Sequence, residues 1–185
     1  MLKKSSWLFS IPNAYLAMVW VVVLSNILVM YPINDWLTWG AFSYPLSFLV
    51  NELTNRLYGP QQARKVVYLG FIFAAILSSY LSTPQIAFAS LSSFLISQLL
   101  DISIFNRLRK AAWWYGPLVA SVSASLVDTA AFWFLAFWNE EISMILKLAC
   151  GDFAVKCLMD IAFLLPFRLI MIRSLSLPAA SPIRT

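Results

Sequence analysis

Long apolar runs alternate with short polar segments along the whole chain. About 20 apolar residues are needed to cross roughly 30 Å of bilayer hydrocarbon as a helix. By that measure the pattern predicts six transmembrane helices. They cover residues 11–30, 36–55, 67–81, 84–105, 113–138 and 142–170. The third run is short and the last two are long, so we expect tilted helices or irregular helix ends.

Composition supports this interpretation. Of the 185 residues 61% are hydrophobic and only 11% are charged, whereas soluble domains carry about 25% charged residues. The fold class predicted is therefore all-α, a polytopic membrane protein. We expect one transmembrane domain, residues 1–173, followed by a flexible cytoplasmic tail, residues 174–185, with the sequence "SLSLPAASPIRT".

The positions of the charges predict the orientation in the membrane. Eleven of the 13 basic residues fall on one side of the predicted spans: Lys3, Lys4, Arg56, Arg64, Lys65, Arg107, Arg109, Lys110, Arg168, Arg173 and Arg184. The opposite loops hold Asp35, Glu140 and Glu141 and no basic residue. Because basic loops stay in the cytoplasm, both termini are predicted to be cytoplasmic. This distribution also argues against nucleic acid as a partner, although the net charge is +5.

Residue usage excludes several kinds of site. The chain has no His, so the usual zinc or haem ligands and imidazole-based triads are missing. Cys150 and Cys157 lie in one apolar segment, where a helix would place their α-carbons roughly 10 Å apart, too far for a disulfide. We therefore expect no metal, no cofactor and no enzyme activity.

Six ionisable residues lie within the predicted spans or at their ends: Glu52, Asp101, Asp128, Asp152, Lys156 and Asp160. Each would cost about 2.5–3.5 kcal/mol if unpaired at the bilayer centre, so they must face a cavity or one another. Asp152, Lys156 and Asp160 are spaced i, i+4, i+8 and share one helical face. They either neutralise one another, or Lys156 holds a cavity carboxylate or contacts substrate.

Polar stripes mark spans four and five. In span four the stripe ends at Asp101, with Gln98 beside it, and in span five it ends at Asp128. Serines complete the stripes: Ser90, Ser93, Ser97, Ser121 and Ser125. Serines alone often serve helix packing in membranes, so the carboxylates are the stronger candidates for a binding site. In span two Pro45 either kinks the helix or breaks it beside a cavity.

Four segments carry a resemblance to a known family. Residues 44–71, "YPLSFLVNELTNRLYGPQQARKVVYLGF", are similar to the signature of the vitamin uptake transporter family, better described as queuosine-precursor transporters. The positions that match this signature are Pro45, Leu46, Phe48, Glu52, Asn55, Gly59, Arg64, Lys65, Leu69, Gly70 and Phe71. "ISQLLDISIFNRLRK", "SASLVDTAAFWFLAF" and "LKLACGDFAVKCLMDIAFLLPF" resemble the later blocks. Two features depart from the family: Arg56 stands where it usually has Glu, and Asp152 and Asp160 flank Lys156.

The resemblance implies an importer of 7-deazaguanine bases, queuine among the candidates. It also implies a fold like the small substrate-binding subunits (S components) of energy-coupling-factor transporters, with six helices and both ends in the cytoplasm. Such subunits need an ATPase partner and carry an Ala-x-x-x-Ala patch on the first helix. Here Ala14 is followed by Met18 and Ala17 by Val21, which disfavours an ATPase module. Partners are then a nucleobase and the lipid bilayer, and a homodimer stays open.

A deazaguanine has a guanidine-like edge with two adjacent N–H donors, which one carboxylate can accept in bidentate fashion. We expect Glu52, Asp101 and Asp128 to supply carboxylates and Lys156 to fix one of them. Amides can read the remaining polar atoms of the base, and Phe48, Phe94 or Trp133 can supply a stacking face. The predicted substrate-binding residues are Phe48, Asn51, Glu52, Asn55, Phe94, Gln98, Asp101, Asp128 and Lys156.

Overall fold

The structure, a computed structural model, describes residues 10–34 and 37–176. Its helices and strands are α1 (Ile11–Leu28), β1 (Pro32–Asn34), β2 (Leu37–Thr38), α2 (Gly40–Ser43), α3 (Leu46–Tyr58), α4 (Pro60–Leu81), α5 (Pro84–Leu108), α6 (Tyr115–Ala136) and α7 (Ile142–Ser176). Lys3, Lys4, Asp35 and Trp36 lie outside the described residues, as does the predicted tail beyond Ser176.

The all-α prediction is confirmed in its coarse form. Within the described residues four helices, α1, α4, α5 and α6, are long and apolar enough to cross a membrane. They correspond to predicted spans one, three, four and five. The predicted sixth span lies inside α7, a helix of 35 residues that contains Pro166 and carries the buried Lys156 and Asp160. One short antiparallel pair, β1 with β2, was not predicted.

The predicted second span is divided into two helices by Pro45. A proline has no N–H to donate and its ring disfavours a continuous helix. Helix α2 therefore ends at Ser43, and α3 begins at Leu46. The carbonyl of Tyr44 accepts from the Ser47 N–H at 2.9 Å and from the Ser47 hydroxyl at 2.7 Å. The sequence predicted either a kink or a break in the helix at Pro45, and the structure has the break.

Helices α3 and α4 meet at a single residue. Gly59 has φ +89°, a left-handed conformation that glycine adopts without steric cost, and Pro60 then begins α4 at a position where proline is favoured. Helix α4 thus starts seven residues before the apolar run at 67. The polar residues between these positions form its first two turns, which a hydrophobicity pattern does not detect.

Helix α3 is the central element of the bundle, and it packs against α1, α4, α5 and α7. Every residue from 47 to 55 is buried. On one side the core is apolar and tight, because a Cβ at Gly70 of α4 would lie 2.8 Å from the Met18 side chain of α1. On the side toward α5 and α7 buried polar residues lie among apolar ones such as Ile102 and Phe105. The candidate site lies on this polar side.

Candidate functional site

A cavity of about 780 Å³ enters the bundle from the end that carries the β1–β2 pair. Residues at the end of α1, the start of α5, the end of α6 and the start of α7 line it, so it opens away from the basic loops. The walls nearer its mouth are mainly apolar. Its polar inner end, here called the floor, consists of Tyr44, Ser47, Asp128, Asp152 and Lys156.

Asp128 is the most fully bonded group of the floor. Its Oδ1 accepts from the Tyr44 hydroxyl at 2.7 Å and from the Ser97 hydroxyl at 3.2 Å. Its Oδ2 accepts from Lys156 Nζ at 2.9 Å, and both side chains are about 95% buried. These contacts join α6 to α7 and to the broken segment before α3. The carboxylate is thereby held in one orientation.

Lys156 bridges two carboxylates. Besides Asp128, its ammonium pairs with Asp152 one turn earlier on α7 and donates to the Thr129 hydroxyl at 3.1 Å. Thr129 in turn donates to Asp152 at 2.8 Å. Asp160, the third member of the i, i+4, i+8 series, instead accepts from Ser125 at 2.9 Å. Of the two readings of this series, the structure therefore fits the one in which Lys156 holds a cavity carboxylate.

Aromatic rings surround the floor. Phe94 lines the cavity, and its ring centre lies 6.3 Å from that of Tyr44. The Lys156 ammonium lies 5.3 Å from the centre of the Tyr44 ring. Trp133 also lines the cavity and stacks on Phe137, and its buried Nε1–H has no acceptor among the described residues. Phe94 and Trp133 can therefore both face a planar ligand.

Phe48 and five other predicted residues do not line the cavity. Phe48 is 1% exposed and packs edge-on against Tyr44. The other five are buried one or two turns closer to the basic loops, on α3 and α5: Asn51, Glu52, Asn55, Gln98 and Asp101. Together with Asp160 of α7 they form what we call the inner cluster. The structure thus divides the predicted site between the cavity floor and the inner cluster.

Hydrogen bonds fix the three amides of the inner cluster. Asn51 Nδ2 donates to Asp101 Oδ2 at 2.8 Å, and Asn55 Nδ2 donates to the Ile102 carbonyl at 3.2 Å. Gln98 Nε2 donates to the Ser47 hydroxyl at 2.7 Å, and that hydroxyl already donates to the Tyr44 carbonyl. Each amide nitrogen therefore faces an acceptor, so the amides cannot be flipped.

The inner cluster consequently contains oxygen atoms that could accept a hydrogen bond but face no donor. Six buried oxygens have no hydrogen-bond partner among the described residues: Asn51 Oδ1, Glu52 Oε1, Asn55 Oδ1, Gln98 Oε1, Asp101 Oδ1 and Asp160 Oδ1. An unsatisfied buried polar group costs about 1–3 kcal/mol. This arrangement suits a bound proton or a ligand that is rich in N–H groups.

Arg56, which departs from the family pattern, bonds at the inner ends of α3 and α5. Its Nη1 donates to the Arg109 carbonyl at 2.6 Å, and Arg109 Nη2 donates to the Arg56 carbonyl at 2.6 Å. Both guanidinium groups stay charged, as they do in proteins generally. We call this reciprocal pair the arginine clasp.

The sequence prediction missed several residues of the floor or in contact with it. Tyr44, Ser47 and Thr129 were absent from the predicted set, and Asp152 was considered only as a partner of Lys156. Thr129 adjoins Asp128, and Tyr44 adjoins the helix-breaking Pro45. These neighbouring positions were the sequence signals that could have identified Thr129 and Tyr44. Among the described residues no group of His, Cys, Asp and Glu side chains could hold a metal ion.

Several known proteins and one family model are similar to this chain in sequence. The family model "Putative vitamin uptake transporter" matches residues 38–82 and 74–171. A "Queuosine precursor transporter" of Escherichia coli (strain K12) is 32% identical, over 85% of this chain and 87% of that protein. A "Probable queuosine precursor transporter" of Haemophilus influenzae is 31% identical over 56% of this chain and 53% of its own. Another of that name, from Bacillus subtilis, is 27% identical over 54% and 56%. No solved structure matches the chain.

Proposed function

This chain belongs to the vitamin uptake transporter family, and from that premise we propose that it imports queuosine precursors, which are 7-deazaguanine bases, into the cytoplasm. It is a multi-pass protein of the inner membrane and a transporter rather than an enzyme. The observation that carries the proposal is the half-open cavity whose floor holds Asp128, Lys156 and Asp152.

We place six crossings in the membrane, with α2 and α3 together as the second and α7 as the sixth. Both termini then lie in the cytoplasm, and residues 1–173 form one carrier domain. The basic residues at the inner ends of α3, α4 and α5 support this orientation, because such residues remain on the cytoplasmic side. The cavity accordingly opens to the outside, where a base would enter.

The base would bind first at the floor. A cavity of about 780 Å³ lies within the ~300–1,000 Å³ range of small-molecule sites. Lys156 pairs with both Asp128 and Asp152, and carboxylates accept the adjacent N–H donors of a guanidine-like edge strongly in a dry site. Phe94 would lie against the ring, and the Trp133 N–H is a free donor for the carbonyl of the base.

The members of the inner cluster on α3 and α5 would bind the base on its way inward. The unpartnered oxygens on Asn51, Asn55, Gln98, Glu52 and Asp101 are all acceptors, and a deazaguanine offers several N–H donors. A site of this type discriminates sharply, because a ligand without those donors leaves the acceptors unpaired. Eight of the nine residues predicted from the sequence, all except Phe48, would thus act in two successive layers of one path.

We further propose that transport needs no ATPase partner. Ala14 and Met18, the first pair that an Ala-x-x-x-Ala patch would use, are 0% exposed. The side of α1 that faces away from the bundle carries large residues, among them Leu16 and Trp20. A close-packed small-residue contact with a second membrane protein has no place on that surface.

Reconstitution tests this proposal. The purified protein in liposomes, loaded with unlabelled 7-cyano-7-deazaguanine, should take up the labelled base by exchange without ATP. Guanine and queuine serve as competitors, and empty liposomes as the blank. If exchange requires ATP and a co-purifying ATPase, the alternative of an S component would replace this proposal. If no deazaguanine exchanges, the assigned substrate class is wrong.

A further inference from the structure

Three carboxyl groups of the inner cluster lie together without a cation. Glu52 of α3, Asp101 of α5 and Asp160 of α7 are 4%, 0% and 4% exposed. Helix α3 packs against both α5 and α7, and Asn51, one position before Glu52, donates to Asp101. Each one comes from a different helix. The cluster therefore sits where three helices would separate if the inner end of the bundle opened.

The nearest cation is shared with other carboxylates. Lys156 lies one turn before Asp160 and acts on it electrostatically, but its ammonium pairs directly with Asp128 and Asp152. The guanidinium groups of Arg56 and Arg109 bond to backbone carbonyls instead. Two neutral groups adjoin Asp160: the Ser125 hydroxyl of α6, which donates to it, and the Cys157 thiol on its own helix. Within the described residues none of the three carboxyls forms an ion pair.

A buried carboxylate without a cation usually binds a proton. The unpartnered amide oxygens provide independent support. Asn51, Asn55 and Gln98 each present a buried oxygen that lacks a donor, and a carboxyl O–H is such a donor. In this outward-open arrangement the cluster is therefore suited to hold protons, because it contains both buried carboxyl groups and unpartnered oxygens.

The cluster also lies in the layer of the bundle between the floor and the cytoplasm, which the substrate must cross. Asp101 follows Ser97 by one turn, and Asp160 follows Lys156 by one turn, so the cluster is about 6 Å beyond the floor toward the cytoplasm. When this layer opens inward, water reaches the carboxyl groups. Water stabilises the ionised form and the protons leave. When the layer closes again, the carboxylates must be reprotonated.

We propose that this protein is a proton–base symporter, and that Asp160, with Glu52 and Asp101, carries the coupled proton. A proton from the outer solution binds the Asp160 carboxylate, and the same proton is released to cytoplasmic water once the base has passed. Asp160 is the key position, because Ser125 holds only its Oδ2 and it is not among the residues assigned to the base. This proposal rests on the proposed function.

Reconstituted protein tests the coupling with 7-cyano-7-deazaguanine as the probe. In liposomes that are more acidic outside by about one pH unit, one proton per base supports about tenfold accumulation. A protonophore should abolish it. Asp160→Asn, which mimics the protonated side chain, should still exchange internal for external base but should no longer accumulate it. Glu141→Gln, an exposed carboxyl at the start of α7, is the matched control and should accumulate base like the wild type.

The outcomes separate the two proposals. Exchange without any response to the pH gradient in the wild type overturns the coupling and leaves the transport function standing. Accumulation by Asp160→Asn equal to that of the wild type overturns the assignment of the proton to Asp160. Failure of the wild type to exchange any deazaguanine overturns the proposed function itself. Size-exclusion chromatography of each variant shows whether it is folded before reconstitution.

Discussion

Among single residues, Lys156 has the greatest influence on the cavity floor. It is one buried cation between two carboxylates, the buried Asp128 and the partly exposed Asp152. Removing one partner of a buried ion pair leaves an uncompensated charge, and that charge costs more than the pair itself contributes. The i, i+4 spacing predicted the contact with Asp152. The contact with Asp128 depends on how α6 and α7 pack.

Lys156→Met should therefore destabilise the fold. The expected loss is about 3–5 kcal/mol of unfolding free energy, seen as a lower melting temperature in detergent. Adding Asp128→Asn to Lys156→Met should recover part of the loss, because one unpaired charge is then removed. A single mutant that melts like the wild type would mean that the ammonium is not buried between carboxylates.

Tyr44→Phe tests the hydrogen bond between Tyr44 and Asp128. The change removes a donor at 2.7 Å and keeps the ring that packs on Phe48. We expect KM for the base to rise about tenfold, since a hydrogen bond to a charged group contributes about 1.5–3 kcal/mol. Tyr80→Phe, at a position 86% exposed, is the control. An unchanged KM would place substrate away from the floor.

Individual residues also show which parts of the candidate site could be predicted from the sequence. Buried carboxylates in apolar runs are conspicuous, and Glu52, Asp101 and Asp128 are all buried in the structure. Tyr44 meets Asp128 across 84 positions of sequence, and no local pattern encodes that contact. The division of the site into a floor and an inner cluster likewise depends on depth within the bundle, which one-dimensional spacing does not fix.

Among the elements, α3 determines where the predicted path is closed. Its inner end is joined to that of α5 by the arginine clasp, in which Arg56 and Arg109 each donate to the other's backbone carbonyl at 2.6 Å. Last-turn carbonyls of a helix lack intrahelical partners, and arginine side chains can satisfy them. The clasp therefore holds the two helix ends together below the inner cluster.

Arg56→Ala and Arg109→Ala should each weaken the contact between the inner ends of α3 and α5. We expect faster amide hydrogen exchange in the last turns of α3 and α5, with little change in α1, because local opening depends on local contacts. Arg64→Ala, an exposed arginine in the first turns of α4, is the control. Equal exchange in all four proteins would show that the clasp does not hold the helix ends.

Element boundaries follow different physical signals. The apolar runs located α1, α5 and α6 well, because lipid-facing helices must be apolar along their length. They placed the start of α4 too late, since its first turns are polar. Pro45 did indicate the break in the second span. The pair of β1 and β2 went undetected because two strands of three and two residues carry too few positions for an alternating pattern.

For the whole molecule the main feature is asymmetry: the bundle is open at one end and closed at the other. Cysteine labelling can test it in a background in which Cys150 and Cys157 are replaced by Ser. Ser90→Cys, which lines the cavity, should react with a membrane-impermeant maleimide added outside, and bound base should slow the reaction. Ser103→Cys, near the inner end of the same helix, should not react from outside. The reverse pattern would invert the proposed orientation.

Queuosine content of tRNA is the most direct measure of the central claim. Host cells would lack both synthesis of the base and their own transporter, and would receive a nanomolar deazaguanine outside. The wild type and the control Glu140→Gln should restore queuosine, whereas a well-expressed Asp128→Asn should not, because it loses the carboxylate that Tyr44, Ser97 and Lys156 hold. No restoration by well-expressed wild type with any of the three bases, queuine and its cyano and aminomethyl precursors, would contradict the account.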